Sequence, residues 1–301
     1  MSTPRRDDPA IPTPESIASI LRRLATHTDG DALLHDLAES ATTLLGDSTG
    51  AFALQQTRRL HSEVEVARLI QRSTLPTTMP QAPGYDFHGH FLPATYAGGD
   101  LYDLFQLPQG IFLLLGDATG HGFGPALSAT QMQGMLRVAF RLGADLDAAY
   151  LHVNNQLAED LPDDRFITAF IGLLDPLAHR VRFHAAGQGP ILHFHGGTQT
   201  CEWHQPSTFP VGIMTLDDSP AAMELALAPG DVLALLSDGV YECHGPGDEL
   251  FGEARVAEVM CLHHSQSMAT LCTRLLDAAK TFAAGTAQAD DITLLLLRRL
   301  A

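Results

Sequence analysis

The sequence predicts an α+β protein in which antiparallel sheets are covered by helices. Two observations carry this prediction. Short apolar runs of strand length come in blocks, and helical periodicity fills the stretches between the blocks, an order unlike a βαβ repeat. Hydrophobic residues make up 45% of the 301-residue chain, enough for a sizeable core.

The elements follow in order. Residues 1–12 are polar and Pro-rich and are expected to be a flexible tail. Ile17, Ile20, Leu21 and Leu24 fall at helical spacing, with Thr13 as N-cap and Pro14 in the first position. Gly30-Asp31 breaks this helix, and a second one carries Leu33, Leu34, Leu37, Ala41, Leu44 and Leu45. A third is expected from Ala51 to Ser73. Its stripe Ala53, Leu60, Val64 and Ala67 approaches a heptad seam, interrupted by Thr57 and Gln71. A dimer helix and a helix packed on its own domain both fit that stripe. Pro76 and Pro80 then mark a boundary.

From Tyr85 the pattern turns to β. Tyr85, Phe87 and Phe91 alternate with smaller or polar residues, and strands are expected around Asp100 and Asp117. Helices are expected from Pro125 to Leu142 and from Leu146 to Leu161. Further strands are Phe166–Leu174, Val181–Ala186, Ile191–Phe194, Met223–Leu227 and Val232–Leu236. Helices return over Glu253–His263 and Ser267–Phe282, and Ile292–Leu297 reads as a strand.

A net charge of −17 argues against a nucleic-acid surface and against docking on an anionic membrane. The N-terminal segment shows no apolar signal region, and the longest apolar runs are far short of a membrane span. Cys201, Cys243, Cys261 and Cys272 form no CxxC pair, so they read as reduced thiols of a cytoplasmic protein. His88-x-His90 and His193-x-His195 would each put two rings on one strand face. No Cys or third His stands at zinc-like spacing, which favours surface or core histidines.

The chemistry is signalled by acids at strand edges. Asp100 follows Gly98-Gly99 and opens an apolar run. Asp117 closes one and leads into Ala118-Thr119-Gly120-His121-Gly122. Asp238 closes another and precedes Gly239. Asp290 and Asp291 open the run that starts at Ile292. Carboxylates gathered in a dry site cannot all stay ionised without a compensating cation, and hard ions such as Mn²⁺ or Mg²⁺ prefer such oxygens.

These segments resemble one family. Gly98-Gly99-Asp100-Leu101-Tyr102-Asp103 is similar to the GGD(F/Y)YD segment of bacterial PPM-type metal-dependent serine/threonine protein phosphatases, in the SpoIIE/RsbU-like branch. Gly116-Asp117-Ala118-Thr119-Gly120-His121-Gly122 resembles its GDVSGHG element, Ser237-Asp238-Gly239-Val240-Tyr241-Glu242 its TDGVTE element, and Asp290-Asp291-Ile292-Thr293 its DDITL element. Ile70-Gln71-Arg72-Ser73-Thr74-Leu75-Pro76 is similar to the IQxSLLP segment before the family's core. Where relatives read AREVGGD, this chain has Ala94-Thr95-Tyr96-Ala97 before Gly98 and lacks the basic residue. Ala185-Ala186-Gly187-Gln188-Gly189-Pro190 stands where NAGHPP is frequent.

The resemblance implies an α-β-β-α sandwich over residues 77–301 behind a helical regulatory or dimerisation segment, 13–76. It implies two divalent ions, Mn²⁺ or Mg²⁺. Asp117 would bridge them, Asp100 and the Ala118 carbonyl would complete one site, and Asp238 and Asp290 the other. Asp291 would serve as a further ligand or a support. A metal-bridging hydroxide would attack phosphoserine or phosphothreonine on a partner protein, an anti-sigma-factor antagonist in a partner-switching pathway. His121 is a candidate proton donor to the leaving oxygen; its alternative is to cap or pack the following helix. A non-catalytic scaffold of this fold and a dinuclear hydrolase of small phosphoesters are the other readings.

Overall fold

The computed structural model describes residues 47–120 and 122–300. The two helices expected before residue 46, the flexible tail, and His121 lie outside the described residues. Helix α1 spans Asp47–Thr74. The compact unit that holds the sheets spans Arg68–Ala301 and so includes the last turn of α1.

Ten strands follow, in two five-stranded sheets. The first has the order β1 (Tyr85–Leu92), β10 (Ile292–Arg299), β9 (Val232–Leu236), β6 (Ile191–His195), β7 (Thr200–His204). The second has the order β2 (Asp100–Leu107), β3 (Gly110–Ala118), β4 (Ile167–Asp175), β5 (Arg180–Ala186), β8 (Met223–Ala226). All strand pairs are antiparallel. Helices α2 (Phe123–Arg141) and α3 (Leu146–Asp160) cover the second sheet. The one-turn α4 (Asp238–Tyr241), α5 (Gly252–His263) and α6 (Met268–Ala283) accompany the first.

The pleat sorts one apolar run onto two faces. In β3, Ile111, Leu113 and Leu115 point between the sheets, while Phe112 and Leu114 meet Met132, Leu136 and Phe140 of α2. In β10, Leu295 and Leu297 face the other sheet, and Leu294 and Leu296 face α5 and α6. Both sheets are thus buried on both faces, giving three apolar layers between four structural ones. This is the expected α-β-β-α sandwich.

Element boundaries agree with the sequence reading to within a few residues, as fraying ends require. Two elements were not foreseen. Strand β7, Thr-Cys-Glu-Trp-His, is a sheet edge with weak alternation. Helix α4 is a single turn, too short to display a period. The four cysteines are free thiols, with the Cys201 and Cys261 sulfurs 3.8 Å apart.

Candidate active site

Antiparallel register sets the first acids side by side: Asp100 at the start of β2 faces Asp117 near the end of β3. The first sheet supplies the others. Asp238 stands two residues after the end of β9, and Asp290 and Asp291 precede β10, the neighbour of β9. Ser237 joins these two segments: its N–H donates to the Thr293 carbonyl (2.9 Å), and its hydroxyl accepts from the Thr293 N–H (2.9 Å).

Crossing between sheets is made by side chains that are fully committed. The Thr293 hydroxyl donates to Asp100 Oδ2 at 2.5 Å. Asp291 Oδ1 accepts from the Ala94 N–H (2.8 Å) and Oδ2 from the Asp100 N–H (3.3 Å). Asp291 therefore ties the loop before β2 to β10, and its oxygens are engaged by backbone. Glycine is required where that carboxylate lies: a Cβ on Gly98 would stand 2.0 Å from Asp291 Oδ2. Gly239 is constrained likewise, since its Cβ would stand 2.0 Å from the Asp291 carbonyl. The Ala118 carbonyl lies against Gly99, and the Ala118 N–H donates to the Gly99 carbonyl at 3.1 Å.

The acids are coupled electrostatically. Burial, then the charge of Asp117, push the Asp100 carboxyl well above the usual carboxylate range, against the Thr293 hydrogen bond. Burial, then Asp238 and Asp290, push Asp117 up to about 7. Burial and Asp290 raise Asp238, and burial raises Asp291. Asp117 is the hub, because it feels Asp100 and Asp291 as well as Asp238 and Asp290. This is a site whose own side chains repel when ionised, with oxygen-only donors. That donor set fits hard divalent cations.

Several residues take part through contacts that their place in the sequence did not announce, although Gln71, Asp103 and Gln188 stand in family-like segments. Gln71, expected to interrupt a seam, is buried. Its amide donates to the Gly98 carbonyl (2.6 Å) and accepts from the Gly98 N–H (3.2 Å), pinning the loop that carries Asp100. Asp103 is buried in a bidentate pair with Arg137, whose guanidinium also donates to the Thr74 carbonyl at 2.7 Å. Gln188, in place of the family's frequent His, accepts from the Thr168 hydroxyl and donates to the Leu236 carbonyl. Arg165 sets its guanidinium against Gly124 at the start of α2. Its neighbour Phe166 exchanges hydrogen bonds with Thr119 in the loop after Asp117. Beside Asp238 and Asp290 opens a cavity of about 780 Å³, with Glu242, Asp277 and Lys280 on its walls.

The two sheets, their helical covers and this acid cluster define a PPM-type serine/threonine protein phosphatase. The family profile described as Stage II sporulation protein E (SpoIIE) matches residues 108–300, and the chain belongs to that family. Among curated proteins it is 25% identical to phosphoserine phosphatase RsbU of Bacillus subtilis (strain 168), over 95% of this chain and 87% of RsbU. It is 26% identical to protein IcfG of Synechocystis sp., over 79% of this chain but only 41% of IcfG. The SiaA-PP2C domain of Pseudomonas aeruginosa shares the fold, with a TM-score of 0.69 and 21% identity, over 81% of this chain and 98% of that one.

Proposed function

We propose that the chain dephosphorylates phosphoserine or phosphothreonine on a small partner protein, an anti-sigma-factor antagonist in a partner-switching pathway. The observation that carries this reading is the convergence of Asp100, Asp117, Asp238 and Asp290 from both sheets into one mutually repelling cluster. PPM phosphatases are metal-dependent, and two divalent ions, Mn²⁺ or Mg²⁺, would satisfy this cluster. When bound, they supply the positive charge and the activated water that attack phosphorus requires.

The chain's own residues have separable tasks. Asp117, Asp100 and the Ala118 carbonyl would hold one ion; Asp117, Asp238 and Asp290 would hold the other. Asp291 would position Asp100 through the backbone it accepts from. Arg165, beside the Asp117 loop, would bind phosphate oxygens in place of the basic residue missing before Gly98. His121 would hand a proton to the leaving serine oxygen. Residues 13–76 would form a regulatory segment that pairs two copies. Light scattering of the full chain against one starting at Leu60 tests the pairing, and equal masses per chain rule it out.

The substrate test is direct. The protein is incubated with the phosphorylated proteome of its own cell, with and without Mn²⁺, and lost phosphosites are read by mass spectrometry. Mn²⁺-dependent loss from a small antagonist protein is expected. Release from a nucleotide panel with phosphoproteins untouched would replace this reading by a small-phosphoester hydrolase.

A further inference from the structure

We propose that the β6–β7 hairpin carries a second, separate metal site, for a divalent transition ion of the zinc class, built from His193, His195 and Glu202. It goes beyond the phosphatase reading and does not rest on it.

His193 and His195 are two residues apart on β6 and share a face. Glu202 of β7 stands directly opposite His193 in the register, and His204 shares the face of Glu202. Three candidate ligands therefore meet across one strand pair, with His204 on the same face. Ligand atoms of His193, His195 and Glu202 all lie within 4.8 Å of one another. Metal bonds of about 2.0–2.2 Å close that span with small side-chain shifts. His195 Nε2 and Glu202 Oε2 are already 2.8 Å apart, and the rings of His193 and His195 are 4.1 Å apart.

His193 is prepared as a ligand. Its Nε2 lies 3.1 Å from Asp231 Oδ2. That carboxylate also accepts from the backbone N–H groups of Ala228 (2.9 Å) and Gly196 (2.8 Å). A carboxylate so held accepts from imidazole, so Nε2 carries the proton and Nδ1 keeps a lone pair. Nδ1 is buried with no hydrogen-bond partner, in a residue only 2% exposed. An imidazole backed by a carboxylate is the arrangement that fixes the tautomer of a metal-binding histidine. His204 stands beside this group, with its Nε2 buried without a hydrogen-bond partner and its Nδ1 3.9 Å from Glu202 Oε1. Imidazole-rich donors select zinc-class ions, whereas the carboxylate cluster selects hard ones. The two sites would therefore sort cations by chemistry.

The rival is a buried His–Asp pair beside a surface ion pair, with no ion between them. The test titrates Co²⁺ into the full chain carrying Asp117→Asn, in excess Mg²⁺ so that the remaining carboxylates are filled. One equivalent with the visible absorption of tetrahedral cobalt is expected, displaced by Zn²⁺. His195→Ala and Glu202→Gln change partly exposed side chains, so each should fold, which circular dichroism checks. Each should weaken Co²⁺ binding at least about tenfold, the lower end of what even a ligand's supporting partner contributes. Absence of the tetrahedral band, or equal affinity in the folded variants and their parent, overturns the proposal.

Discussion

Asp117 is the residue on which the cluster turns, because it is the acid that interacts with all the others. Asp117→Asn should abolish Mn²⁺-dependent turnover beyond the ~10–100-fold range that removal of a supporting partner produces. The fold should survive, since the change removes a repelling charge. Turnover at the parental rate, after chelation and Mn²⁺ add-back, would remove Asp117 from the site. Arg165→Ala is expected to lower kcat/KM about 10–100-fold, the scale of a lost charge-assisted hydrogen bond of ~1.5–3 kcal/mol. Metal affinity should be unchanged, so a parallel loss of Mn²⁺ binding would mean that Arg165 shapes the loop instead. The acids were legible in the sequence because each borders an apolar run and most touch glycine. Gln71 and Thr293 stand in family-like segments, but their contacts, like that of Arg165, were not legible, because they reach across 27, 193 and 41 residues to Gly98, Asp100 and Gly124 respectively.

At the level of elements, the last turn of α1 is wired to the acid-bearing loop by Gln71, and its end is received by α2. The Thr74 carbonyl accepts from both Gln133 and Arg137. Gln71→Ala leaves the buried N–H and carbonyl of Gly98 unpaired and should cost about 1–3 kcal/mol of stability. It should also lower Mn²⁺ affinity, because Gly98 sits against the Asp291 carboxylate. Denaturant midpoints and Mn²⁺ titrations measure both, and a stability loss with unchanged metal affinity would confine Gln71 to packing. The fold was legible where strands are apolar on both faces, as in Leu294–Leu297, since unbroken runs of that length are conspicuous. The edge strand β7 was not, because one side of it has no neighbouring strand and its residues are mixed. For the same reason the sequence argued against a histidine metal site: Glu202 and His204 approach His193 by strand pairing, not by spacing along the chain.

For the whole molecule, the metal-free state carries buried like charges, so ions that bind only the folded form should stabilise it. At a Mn²⁺ concentration 100 times Kd the gain is about 2.7 kcal/mol. Tm should rise with Mn²⁺, and a flat profile from micromolar to millimolar would mean that the acids bind no ion. The pH response has two opposing parts. Asp117, raised to about 7, gives the metal-free protein stability that is lost as pH rises from the usual carboxylate range through 7. His184 works the other way. It is buried against Tyr150, and burial lowers its pKa despite the 2.8 Å contact of its Nε2 with Asp147. Its folded pKa lies below the unfolded one, so its contribution is intact above about 6.5 and lost as pH falls below that value. His184→Gln in chelating buffer should therefore lose less Tm between pH 7 and 5 than its parent; an identical slope would show that His184 does not titrate in that window. The strand order has a last consequence, for synthesis. Strand β1 pairs with β10, and Asp290 stands just ahead of β10. A nascent chain halted before Ile292 leaves β1 with no partner in its sheet and the acid cluster unclosed. A chain truncated before Ile292 should therefore be inert, which a phosphatase assay of that fragment checks.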